Sequence, residues 1–316
     1  MIQALNLVFC GTPQFAVPTL EKLVEAGFHV RLVLTQPDRP KGRGLELIAS
    51  PVKQAATRLG IPIYQPDKIK TNEELRARLE GIAPAAIIVA GYGRIIPKWM
   101  VDLPKYGNIN SHASLLPKYR GAAPIQWAIA NGETITGVTT MRIDEGLDTG
   151  DILVQREMPI KDDDTAVTLS LKLAAIGADL MIETLHGLHA DVIAPRRQNN
   201  AEATLAPILT KEDGRIDFTR SAPEIYNRFR GFQPWPGAFT SFRGRGLNVT
   251  AMKLVSEPFV GVTAKQLLPR GNQLFAGCGV GSVIELIEVQ PEGKKRISAK
   301  DFMHGYRLQP EEPLGA

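Results

Sequence analysis

Asn110 and His112, followed by Ser114-Leu115-Leu116-Pro117 and then by Gly146-Leu147-Asp148-Thr149-Gly150, bring an amide, an imidazole and a carboxylate into one stretch of chain. The segment Gly107-Asn108-Ile109-Asn110-Ser111-His112 reads as a short strand, in which residues two apart point to the same face, so Asn110 and His112 project together. An amide can hydrogen-bond an oxygen that becomes negative as a carbonyl carbon turns tetrahedral, while an imidazole moves a proton near neutral pH. A carboxylate beside the ring can fix its orientation. A lone Asn or His at a strand end is more often a turn former. Here the same-face pair runs into Pro117-Lys118-Tyr119-Arg120-Gly121-Ala122-Ala123-Pro124, a rigid polar loop before a helix at Ile125 to Asn131, which is where sites sit.

The elements that must position these groups follow from the periodicity. Short apolar runs at Leu5 to Cys10, Val30 to Thr35, Ile61 to Tyr64, Ala85 to Ala90, Gly107 to His112 and Gly137 to Ile143 read as strands. Between them lie helical stretches at Phe15 to Ala26, Ser50 to Leu59 with Ser50 as cap, and Asn72 to Glu80. A long helix from Thr165 to about His189 follows the acidic run Asp162-Asp163-Asp164. This alternation predicts an α/β fold, a Rossmann-like domain with a mainly parallel sheet covered on both faces. Gly11-Thr12-Pro13 lacks the later glycines of a dinucleotide fingerprint, and no GxxxxGK[ST] run occurs. The Pro195 to Asn200 stretch reads as part of a linker. Beyond it, a helix near Ala222 to Arg230 and short strands at Ala238 to Phe242, Leu247 to Leu254, Gln273 to Cys278 and Ser282 to Val289 predict a small β-barrel or sandwich.

The chain has 316 residues, 44% of them hydrophobic, which suffices for two ordinary cores. No apolar run approaches the roughly 18 residues that span a bilayer, and the N-terminus lacks signal-peptide character, so a cytoplasmic protein with no membrane association is expected. Cys10 and Cys278 lie far apart without metal-ligand spacing; they read as reduced thiols, and no metal is expected. His186 and His189 share a helix face but lack further ligands. The net charge of +4 permits a polyanionic partner. Its distribution is more informative, because Arg39, Lys41 and Arg43 fall in the Pro/Gly-rich segment 36–44, read as an irregular protruding loop suited to phosphate contacts.

Several separate motifs carry a resemblance. Phe9-Cys10-Gly11-Thr12-Pro13-Gln14-Phe15, the loop from Thr35 to Gly44 with Ser50-Pro51-Val52-Lys53, the Asn110 to Pro124 run, Gly146 to Asp151, Phe232-Gln233-Pro234-Trp235-Pro236-Gly237 and Gln290-Pro291-Glu292-Gly293-Lys294-Lys295 together resemble the methionyl-tRNA formyltransferases over nearly the whole chain. The Asn110, His112, Ser114 to Pro117 and Asp148 set is shared by the wider folate-dependent formyltransferases, so it speaks to chemistry, while the C-terminal half speaks to the acceptor. The resemblance implies formyl transfer from 10-formyltetrahydrofolate, as co-substrate, to the α-amino group of methionyl-initiator tRNA. It implies that Asn110 and His112 meet the developing oxyanion, and that Asp148 holds His112 and assists proton removal from the amine. Folate contacts map onto Ser114, Leu115, Leu116 and Pro117, with the pterin against Val89, Ala90, Gly91 and Tyr92. The basic residues Arg39, Lys41 and Arg43 are expected at the tRNA acceptor end, and Lys294, Lys295 and Arg296, beside Lys300, at the tRNA backbone. The implied organisation is a catalytic domain over 1–190, a linker over 191–206 and an OB-like tRNA-binding domain over 207–316, working as a monomer. A formyltransferase for a sugar-nucleotide amine and a catalytically idle RNA-binding protein are the competing readings.

Overall fold

Continuous apolar runs in the first half of the chain, such as Leu7 to Cys10 and Ala86 to Ala90, make strands with two buried faces. The computed structural model describes residues 5–41, 46–255, 259–309 and 312–315. Its strands and helices are β1 (Asn6–Gly11), α1 (Val17–Glu25), β2 (His29–Leu34), β3 (Arg39–Lys41), β4 (Glu46–Ile48), α2 (Pro51–Arg58), β5 (Ile63–Tyr64), α3 (Glu73–Ile82), β6 (Ala86–Ala90), α4 (Lys98–Val101), β7 (Asn108–His112), α5 (Pro124–Ala130), β8 (Ile135–Arg142), β9 (Ile152–Pro159) and α6 (Ala166–His189). Seven strands form one sheet in the order β5-β2-β1-β6-β7-β8-β9. The pairs from β5 to β7 are parallel, and β8 and β9 add antiparallel.

The period of two decides what each face buries. Leu7 and Phe9 of β1 join Ile88, Ile109 and the α1, α2 and α6 residues Leu20, Val52 and Met181 in one core, while Val8 and Cys10 join Ile87, Val89 and the α3 residues Leu75 and Leu79 in the other. Each fully buried side chain of this size stabilises the fold by roughly 1.5–3 kcal/mol. The helix starts are chemically specified. Ser50 accepts from the Lys53 amide at 3.1 Å with Pro51 next to it, and Asn72 accepts from the Leu75 amide at 2.8 Å.

Two expectations change. The segment 36–44 is not wholly irregular, because Arg39–Lys41 pairs antiparallel with Glu46–Ile48, Pro40 opposite Leu47. A two-stranded ribbon has only edge strands, where proline is tolerated. Strand β9 is not predicted by the periodicity, because Gln155, Arg156 and Glu157 interrupt its apolar pattern where it forms the half-exposed sheet edge.

The second compact unit holds α7 (Ala222–Gly231), β10 (Phe239–Phe242), β11 (Arg245–Leu254), β12 (Leu267–Arg270), β13 (Gln273–Gly277), β14 (Val283–Pro291), β15 (Ile297–Ser298) and α8 (Ala299–Tyr306). The antiparallel order β10-β11-β14-β13-β12, with β15 on β14, curls into a half-barrel. Its core packs Ile225 and Phe229 of α7 and Phe302 of α8 against Leu247, Leu274 and Leu286. The units do not divide at one point. The first contains 1–124, 135–159 and 168–207, and the second 125–134, 160–167 and 208–316, so the segment read as a linker over 191–206 clusters with the first unit.

Candidate active site

Strand β7 delivers Asn110 and His112 to one face of the sheet, as their spacing requires. Asn110 pairs in register with Val89 of β6 on one side and with Met141 of β8 on the other. It stands beside the carboxyl end of β6, the edge at which open α/β sheets place ligands. His112 is buried, and its Nε2 lies 2.9 Å from the Tyr119 carbonyl oxygen. A carbonyl only accepts, so Nε2 carries the proton and the neutral ring leaves its lone pair on Nδ1.

That Nδ1 faces Asp148, 3.6 Å from Oδ2. The separation is longer than a hydrogen bond, and the firm hold on the ring comes from the Tyr119 carbonyl. The same Oδ2 accepts from the Gly121 amide at 2.9 Å, and the Asn110 Nδ2 approaches Oδ1 at 3.5 Å. Amide, imidazole and carboxylate therefore converge, and catalytic contacts of this length often tighten only once substrate is bound.

The loop carrying Asp148 is sharply bent. Asp148 has a φ of 52°, and a side chain at Gly150 would overlap the Arg142 carbonyl oxygen, so close backbone approach requires glycine there. Asp144 braces the turn by accepting from the Gly146 amide at 3.0 Å and the Thr149 hydroxyl at 2.7 Å.

The residues mapped to folate divide by orientation. Ser114 is buried and donates to the Lys118 carbonyl at 2.6 Å, and Leu116 is buried against Met141 and Ile152. Their side chains hold the loop, while Leu115 and Pro117 are partly exposed, with Leu115 Cδ2 lying over the Gly137 backbone of β8. Val89, Ala90 and Tyr92 are also buried, whereas Gly91 is exposed with a φ of 55°. Burial drives the Tyr92 hydroxyl well above the usual phenol range, and its backbone carbonyl accepts from Gln36 Nε2 at 2.9 Å.

The cations fall elsewhere. Arg39 is exposed and lies 3.4 Å from the Gln36 side chain, while the Lys41 side chain and the whole of Arg43 lie outside the described residues. Lys53 beside Asp38, at 2.5 Å, holds that carboxyl below the usual range and ties α2 to the start of the β3–β4 ribbon. Lys294, Lys295 and Arg296 are exposed on the turn between β14 and β15, with Arg296 at 4.0 Å from Glu288. Among the described residues no cluster of three or more metal-ligating side chains occurs, and no helix is long and apolar enough to cross a membrane. Sequence reading misses the Tyr119 carbonyl and the Gly121 amide, because main-chain atoms leave no residue-type signal. The one trace is Gly121 itself, whose φ of 116° suits glycine.

A Rossmann-like sheet carrying amide, imidazole and carboxylate at its carboxyl edge, followed by a half-barrel, suits a group-transfer enzyme acting at a carbonyl carbon. A formyl transferase model matches residues 5–185, and a formyl transferase C-terminal domain model matches 208–307. The chain is 62% identical over 309 residues to the methionyl-tRNA formyltransferase of Koribacter versatilis, covering 98% of each. It is 60% identical to that of Acidobacterium capsulatum, covering 99% of this chain and all of the relative. The chain belongs to the methionyl-tRNA formyltransferases. An N-formyltransferase from Helicobacter canadensis, solved with folinic acid and dTDP-3-aminofucose, shares the fold at 22% identity and a TM-score of 0.66, over 90% of this chain and 98% of that one.

Proposed function

We propose that the chain transfers the formyl group of 10-formyltetrahydrofolate to the α-amino group of methionyl-initiator tRNA, with Asn110, His112 and Asp148 as its working groups. The observation that carries this reading is the convergence of those three side chains on one face at the sheet's carboxyl edge. The exposed main chain at Gly91, beside the β6–β7 pairing that sets Asn110, suits a flat heterocycle bound through backbone hydrogen bonds.

The bound folate supplies an electrophilic formyl carbon and a nitrogen leaving group. A bond forms from the amine to that carbon, the carbon's bond to the folate N10 breaks, and the proton released by the amine ends on N10. Asn110 Nδ2 donates to the formyl oxygen as negative charge grows there. His112 Nδ1, left free by the Tyr119 hydrogen bond, is the ring atom that takes or gives a proton. Asp148 receives the amine's proton directly or stabilises the ring that has received it, and Gly121 fixes the carboxylate. A neutral amine is already a competent nucleophile, so no activated Ser or Cys is required. Arg39, Lys41 and Arg43 serve the acceptor end of the tRNA and Lys294, Lys295 and Arg296 its backbone, in a monomer working in the cytoplasm, whose mass in solution light scattering measures.

The direct test is formyl transfer from 10-formyltetrahydrofolate to purified methionyl-initiator tRNA, with methionyl-elongator tRNA and a sugar-nucleotide amine in parallel. Selective labelling of the initiator is the expected result. Labelling of the sugar amine alone would leave the chemistry standing and overturn the acceptor.

A further inference from the structure

The segment 198–206 does not behave as a spacer. Gln198 Nε2 donates to the carbonyls of Asp148, at 2.8 Å, and Gly150, at 2.7 Å, so one side chain grips the turn at the residue that carries the carboxylate and again two residues on. Its Oε1 accepts from Arg120 Nε at 3.0 Å and Nη2 at 2.8 Å. Arg120 is 7% exposed, and its Nη2 also donates to the Asn200 side-chain oxygen at 2.9 Å. A buried guanidinium satisfied by neutral acceptors is costly to disturb, because removing one leaves a buried donor unsatisfied.

The same segment fixes the imidazole's partner. Thr204 accepts from the Tyr119 amide through Oγ1 at 2.8 Å and from the Arg120 amide through its carbonyl at 2.9 Å, and the Ala206 amide donates to the Arg120 carbonyl at 2.7 Å. Tyr119 has a φ of 59°, a strained setting that these bonds hold in place. The Tyr119 carbonyl decides which nitrogen of His112 is protonated.

We propose that Gln198 is a positioning residue for formyl transfer: together with Arg120 and Thr204 it straps the Asp148 turn to the His112 loop and sets the separation of carboxylate and ring. The proposal rests on the catalytic assignment above. An ångström of misplacement in a reacting group can cost on the order of 10²-fold in rate without altering affinity.

Two variants separate positioning from mere support. Gln198→Met removes donor and acceptor at similar volume. Gln198→Glu keeps an acceptor for Arg120, adding an ion pair, but offers no donor to the Asp148 and Gly150 carbonyls. Melting temperature, kcat, and KM for folate and for aminoacyl-tRNA are measured in each. The expected result is a kcat lowered about tenfold or more in both variants, with both KM values within about twofold of wild type, and with the Glu variant melting at or above the Met variant. Wild-type kcat in the Glu variant, or a loss confined to KM, would overturn the proposal. If the Met variant does not fold, the Glu variant alone decides. Wild-type protein assayed alongside keeps the two readings distinguishable: its failure to formylate would sink the function, whereas active wild type with unaffected Gln198→Glu would sink only the strap.

Discussion

At the scale of single residues, the three converging side chains carry different loads. His112→Ala and Asp148→Asn are each expected to lower kcat by about two or more orders of magnitude, as for acid-base groups, with the fold retained; near-normal turnover in either would remove its assigned role. Asn110→Ala should cost about 10²–10³ in kcat, the range for a lost oxyanion donor, and a change in folate KM alone would make Asn110 a binding residue instead. The pairing of Asn110 with His112 is legible in the sequence because side chains two apart on a strand share a face. The distance of 3.6 Å between His112 and Asp148 is not, since it depends on Tyr119 and Gly121 main-chain atoms that bring the two loops together.

Among elements, the Asp148 turn is the one with least tolerance. Gly150→Ala forces its new methyl onto the Arg142 carbonyl, which is backbone and cannot step aside, so the turn must shift. The expected loss is at least about 1–3 kcal/mol of stability, the usual cost of overpacking, with activity falling further than stability predicts; denaturant unfolding and formyl transfer measured together check this, and an unchanged midpoint would mean the turn relaxes freely. Strands β1, β2, β6, β7 and β8 are legible to within a few residues because each combines an apolar run with flanking breakers. β9 and β12 are not, since edge strands carry weak patterns; α8 carries a Ser298 cap and a one-sided apolar face, and is absent from the predicted elements. The ribbon β3–β4 is hidden by its Pro and Gly content, although its three-residue arms need little intrinsic propensity.

For the molecule as a whole, charge is distributed by element and not uniformly. The Lys294→Ala, Lys295→Ala double variant should flatten the dependence of tRNA affinity on log salt by roughly one unit for each phosphate no longer neutralised and leave folate KM unchanged; an unaltered slope would place these lysines outside the tRNA footprint. The fold class is legible along the whole chain, whereas the clustering of residues 125–134 and 160–167 with the later unit is not. Such interleaving depends on packing between distant segments, which leaves no local pattern. The strap at 198–206 gives it a consequence in time. A chain leaving the ribosome presents Asn110 and His112 some ninety residues before Gln198, so the sheet edge can form while the acid and the ring are still unset. On the proposed strap, the newborn protein reaches its full rate only when a segment that looks like a connector has been made.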